Sequence, residues 1–89
     1  MMKKNVLVLP GDGIGQEVVA PAIAVMDVAA KQEGCEITVT QGLVGGVAID
    51  AVGNPLPAET LELAKAADAV LLGCVGGPKW DDLPKASRP

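Results

Sequence analysis

The chain has 89 residues, 49% of them hydrophobic, with seven basic and eleven acidic side chains and a formal net charge of −4. That length allows one small domain at most, and scattered cations with an acidic balance exclude a phosphate-backbone footprint, so no nucleic-acid partner is expected. No apolar run approaches the roughly 20 residues needed to span a bilayer, and the apolar segment behind Met1-Met2-Lys3-Lys4 is too short for a signal peptide, so a cytoplasmic protein without membrane attachment is expected.

Phe, Tyr and His are absent, and Trp80 is the sole aromatic residue. The core must therefore come from Val, Ile, Leu and Ala, each burying less area than an aromatic ring. A chain of this size buries roughly 60–65% of its unfolded surface. This composition suits an α/β layer that leans on another chain segment or subunit. Cys35 and Cys74 have neither metal-ligand spacing nor a His partner, which favours small packing residues over ligands or nucleophiles.

Asn5 to Leu9 reads as a first strand, followed by a turn at Pro10-Gly11-Asp12-Gly13. A helical pattern runs from about Ile14 to Glu33. Ile14, Val18, Ala22, Val25 and Ala29 make one apolar stripe, and Val19, Ile23, Met26 and Ala30 a second beside it, so broad burial is expected, with a sheet on one side and a further contact from outside. Pro21 lacks the N–H that would bond Glu17, predicting a kink or loosened turn, and Gly34 is a stop. Glu36 to Thr40 is a second strand with one wetter side. Gln41 to Pro57 reads as a loop with one short helical turn near Val47 to Asp50. Ala58 to Ala67 is a helix with Leu61, Leu63 and Ala64 turned inward. The unbroken apolar run Ala69 to Leu72 reads as a buried parallel strand, ending at Cys74. The order β-α-β-loop-α-β implies a parallel sheet with flanking helices, an α/β fold.

In such sheets, ligands bind beyond the carboxyl ends of the strands. Two glycine-rich loops fall there. Gly11-Asp12-Gly13-Ile14-Gly15-Gln16 fails the dinucleotide fingerprint, because Gln16 stands at its sixth position and no acidic residue ends the second strand. The P-loop pattern is also absent. The plain alternative is a tight strand-to-helix turn. Gly73-Cys74-Val75-Gly76-Gly77-Pro78-Lys79-Trp80-Asp81 places glycines, a cation and the one aromatic ring at the end of the third strand, a candidate binding edge.

Taken together, Leu9-Pro10-Gly11-Asp12-Gly13-Ile14-Gly15, Gly45-Gly46-Val47-Ala48-Ile49-Asp50, Gly53-Asn54-Pro55-Leu56-Pro57, Ala67 to Gly73 and Val75 to Asp81 resemble the isocitrate/isopropylmalate β-decarboxylating dehydrogenases. The likeness runs from Val6 to Pro89, and Gly76-Gly77-Pro78-Lys79-Trp80-Asp81 is most like the isopropylmalate branch. The resemblance implies the two-domain isopropylmalate dehydrogenase-like fold, with residues 1–89 forming the N-terminal part of the NAD-binding first domain. It implies NAD-dependent oxidative decarboxylation of 3-isopropylmalate to 4-methyl-2-oxopentanoate in leucine biosynthesis. Mg2+ or Mn2+ would assist, and the enzyme would be a homodimer. It places Ile14 near the adenine side of NAD. The segment Gly77, Pro78, Lys79, Trp80, Asp81, Asp82, Leu83, Pro84, Lys85, Ala86, Ser87, Arg88 and Pro89 would lie beside the cofactor.

For Lys79 the alternatives are a phosphate contact or a surface ion pair. For Trp80 they are packing on the cofactor side or anchoring the loop. Asp12 and Asp50 read as turn and cap residues, and Asp81 and Asp82 as solvated charges. The family's substrate arginines, catalytic tyrosine and lysine, and metal-binding aspartates have no counterpart in these residues, so no catalytic residue and no metal ligand is assigned, and this chain alone is expected to be inactive. A tartrate- or malate-type decarboxylating relative remains an alternative, as does a small nucleotide- or partner-binding module.

Overall fold

A computed structural model describes residues 2–85. The elements are β1 (Met2–Gly11), α1 (Gly15–Gln32), β2 (Cys35–Gln41), α2 (Gly46–Val52), α3 (Ala58–Ala66) and β3 (Ala69–Cys74), followed by a single 3₁₀ turn at Pro78–Trp80. The strands form one parallel sheet in the order β2-β1-β3. Every element expected from the sequence is present. β1 and β2 are longer than the apolar pattern suggested, because backbone pairing continues past it: Met2 pairs with Cys35 and Val8 with Gln41. Pro10 sits beyond that last β2 partner, where a missing N–H interrupts no ladder on the β2 side.

The central strand is buried on both faces, as its unbroken Val6-Leu7-Val8-Leu9 run requires. Val6 and Val8 point to one side and pack with Val19 of α1, joined by Ile23, Met26, Ile37 and Leu71. Leu7 and Leu9 point to the other, where Gly42 lies directly against them and Thr60 closes the layer. Thr60 is itself buried and donates its hydroxyl to the Leu43 carbonyl at 2.6 Å. It takes the inward position expected of Leu61, which is 42% exposed.

Two expected burials are met on one side only among the described residues. First, α1 docks on the sheet with its second stripe (Val19, Ile23, Met26, Ala30). The first stripe stays open, with Ile14, Val18 and Val25 all exposed and Val28 exposed beside them. Second, β3 is a half-covered edge strand. Leu71 packs against the α1 core, but Val70 and Leu72, on the opposite face, are 46% and 53% exposed. The cause is position: β3 pairs only with β1 among the described residues, and α1 covers just one of its faces. The α1 helix runs through Pro21 as one element and ends where the Glu33 N–H meets the Ala29 carbonyl, with Gly34 following at φ +65°, the left-handed stop its glycine permits.

Candidate functional site

Three loops gather where the parallel strands end. The first, after β1, makes a very close approach to the end of β3. Gly15, the first residue of α1, lies so near the Pro10 carbonyl and the Cys74 amide nitrogen that a side-chain carbon there would overlap both. Gly73 faces the same Pro10 oxygen in the same way. The Asp12 N–H donates to the Cys74 carbonyl at 2.7 Å, stitching the two strand ends together. Gln16, whose presence breaks the dinucleotide fingerprint, donates its side-chain amide to the Gly11 carbonyl at 2.8 Å and so closes the turn. These glycines are accounted for by backbone packing alone.

Asp12 is the most connected side chain of the site. It is 1% exposed. Its Oδ2 accepts the N–H of Gly46 at 2.6 Å and of Gly76 at 2.8 Å, and its Oδ1 accepts the N–H of Val47 at 2.7 Å. Gly45, the residue ahead of α2, has no side chain with which to cap it. Asp12 supplies the missing acceptor from 34 positions earlier in the chain, satisfying the first free amides of the helix and complementing its positive end. The reading of Asp12 as a turn and cap residue therefore holds, with an addition that no local signal carries: it joins three segments.

Trp80 and Lys79 are also placed by α2. The indole lies flat against Gly46, where any side-chain carbon would run into the ring. Gly46 and Asp50 are one helical turn apart and share a face. Asp50 Oδ2 receives the Lys79 ammonium at 2.8 Å, and its Oδ1 receives the Trp80 indole N–H at 3.4 Å. The Lys79 nitrogen stands 5.5 Å from the Trp80 ring centre, within cation–π range. The hydrogen bond from Lys79 holds the Asp50 carboxyl below its ordinary value, and the indole N–H and the lysine charge act in the same direction. Lys79 thus forms the surface ion pair, and Trp80 anchors its loop on α2.

The other expected cofactor-side residues follow around the same edge. Ile14 is the N-cap residue ahead of α1 and is 61% exposed. Gly77 lies against the Trp80 ring. Pro78 starts the 3₁₀ turn, and the Leu83 N–H returns to the Trp80 carbonyl at 3.2 Å. Asp81, Asp82, Pro84 and Lys85 are exposed. Ala86, Ser87, Arg88 and Pro89 lie outside the described residues. Cys74 is exposed at the end of β3, not packed inside, and Cys35 is half-buried. Among the described residues, no three Cys, Asp or Glu side chains converge on a point that would hold a metal ion. Asp12 and Asp50 are already engaged by N–H and ammonium donors, so the site as described does not fit Mg2+ or Mn2+. No helix of the described residues is long and apolar enough to cross a membrane.

The arrangement defines a parallel α/β layer whose loops at the carboxyl edge are locked to one another by carboxylates, without a nucleotide fingerprint. Comparison with known proteins gives the family. Residues 5–89 match the isocitrate/isopropylmalate dehydrogenase family model, and the chain belongs to that family. It is 60% identical over 88 residues to a 3-isopropylmalate dehydrogenase of Hahella chejuensis, covering 99% of this chain and 24% of that protein. It is 53% identical over 88 residues to a 3-isopropylmalate dehydrogenase of Nitratidesulfovibrio vulgaris, covering 99% of this chain and 25% of that protein. The crystal structure of a β-decarboxylating dehydrogenase from Thermococcus kodakarensis, in its apo form, superposes with a TM-score of 0.72 at 33% identity, over 94% of this chain and 23% of the other. The chain spans about a quarter of the length of the curated relatives it matches.

Proposed function

We propose that the chain is part of an NAD-dependent 3-isopropylmalate dehydrogenase of leucine biosynthesis, and that it contributes a wall of the cofactor site. The observation that carries this reading is the 53–60% identity, across nearly the whole chain, to proteins named for that activity. The Gly76-Gly77-Pro78-Lys79-Trp80-Asp81 segment supports it by its place at the carboxyl edge of β3, where open α/β sheets bind ligands.

In this reading Ile14 offers its exposed apolar side chain to the adenine side of the cofactor, and the segment from Gly77 to Pro89 lies alongside it. Gly76, at φ +97° with open space where a side chain would stand, allows the backbone to approach a ligand closely. When bound, NAD+ supplies the hydride acceptor. The residues of this chain bind and orient; the groups that handle substrate, proton and metal belong to the rest of the parent protein, a cytoplasmic homodimer.

The test is a steady-state assay of the full-length gene product with NAD+, Mn2+ and 3-isopropylmalate, following reduced nicotinamide. Turnover with 3-isopropylmalate well above that with tartrate or malate is the expected result. Preference for tartrate or malate, or no NAD+ reduction with any of the three, overturns the assignment. The 89-residue chain by itself is expected to give no turnover under the same conditions.

A further inference from the structure

Two carboxylates join α2 to the segment after β3, and they do so at two separate points. Asp12 brings the first N–H groups of α2 and the Gly76 N–H onto one buried side chain. One helical turn along α2, and three to four residues along the other segment, Asp50 binds Lys79 and Trp80. A single tie would leave the segment free to swing about it; two ties set its direction. Between them lies the indole, seated on Gly46.

The two ties differ in kind. Asp12 is buried, so its bonds are costly to lose. Asp50 and Lys79 keep 46% and 68% of their side chains in solvent, and an exposed pair of that sort adds little to stability. Energy of folding therefore does not account for the Asp50 contact, whereas geometry does: it holds an ammonium, an indole and the 3₁₀ turn in fixed relation to the strand ends.

We propose that Asp50 is a positioning residue, which through Lys79 and Trp80 seats the Gly76–Trp80 segment for contact with the nicotinamide dinucleotide. The inference rests on the function proposed above. Asp50 touches neither cofactor nor substrate; it acts through its two partners.

The experiment uses the full-length gene product and its Asp50→Ala, Asp50→Asn, Lys79→Met and Asp50→Asn/Lys79→Met variants. Two quantities are read for each: the kinetic constants with NAD+ and 3-isopropylmalate, and the emission of Trp80 without ligand, isolated by subtracting the spectrum of a Trp80→Phe variant. Asp50→Ala is expected to raise KM for NAD+ about two- to fivefold, the range an exposed charge pair supports. KM for 3-isopropylmalate and kcat should move less than that, which separates positioning from general damage. The double variant should be no worse than Lys79→Met alone, since both changes remove one contact. Trp80 emission should change in Asp50→Ala, and less in Asp50→Asn, which keeps an acceptor for the indole.

An unchanged KM for NAD+, or equal losses in both KM values and kcat, overturns the positioning role while leaving the proposed activity standing. Unchanged Trp80 emission in Asp50→Ala overturns the two-point attachment itself. Failure of the unaltered protein to reduce NAD+ overturns the proposed function and with it the cofactor role of Asp50; the emission data still decide whether the attachment exists.

Discussion

Replacing Asp12 by Ala removes the one acceptor shared by three backbone amides. The Gly46 N–H is buried, and those of Val47 and Gly76 are partly buried. A hydrogen bond to a charged acceptor contributes about 1.5–3 kcal/mol, and a buried donor left unmatched costs about 1–3 kcal/mol. Water can enter the space of the lost carboxylate and rescue the two less buried amides in part, so the three losses do not simply add. A cost of about 3–5 kcal/mol results, a large fraction of the roughly 5–15 kcal/mol that holds a typical domain together. Asp12→Asn has nearly the same shape but only one carbonyl oxygen. Placing that oxygen where Oδ2 stands keeps Gly46 and Gly76 and sets an amide N–H against the Val47 N–H, so about half the cost of the Ala variant is expected. Urea unfolding of the full-length protein measures both, through a shift of the midpoint at constant slope. Amide exchange adds the local readout, with protection lost at Gly46, Val47 and Gly76 before the rest of the sheet. A loss below about 1 kcal/mol for Asp12→Ala, or unchanged exchange at those amides, would refute the three-way tie.

Glycine substitutions separate close approach from conformational strain. Gly15→Ala drives a methyl group into two backbone atoms held by the sheet, which cannot rotate away, and should cost about 3 kcal/mol or more despite the better helix propensity of Ala. Gly34→Ala meets open space and suffers only from its φ of +65°, for about 1–2 kcal/mol; equal costs in thermal unfolding would contradict the packing described at the strand ends. Acid should release the Asp50 contact late. Because the folded carboxyl titrates below its ordinary value of 3.8, its contribution is fully present above that value and fades as pH falls through the lowered one. Any acid-induced change in Trp80 emission should therefore have its midpoint below pH 3.8; a change centred above that value, while far-ultraviolet dichroism is unaltered, would count against the Lys79 hydrogen bond as the cause.

What the linear chain determined is what short-range regularity can encode. Four consecutive apolar residues in β1 require a strand covered on both faces, and they are so covered. The 3.6-residue recurrence in Ile14 to Glu33 gives a helix at nearly its observed bounds, and Gly34 ends it. The glycine loops fall at strand ends because apolar runs stop there. The family motifs were legible too, since they are contiguous. Tertiary structure alone decided the rest. Two equally apolar stripes lie along α1, and only docking on β1 selects Val19, Ile23 and Met26 over Val18 and Val25. A run such as Ala69 to Leu72 states that it is apolar, not which neighbours will cover it, and among the described residues β3 is an edge strand with Val70 and Leu72 exposed. Asp12 looks like any turn aspartate, because its amide partners stand 34, 35 and 64 residues away. Hydrogen bonds and burial depend on distance in space, and sequence spacing reports that distance only within a turn or a strand.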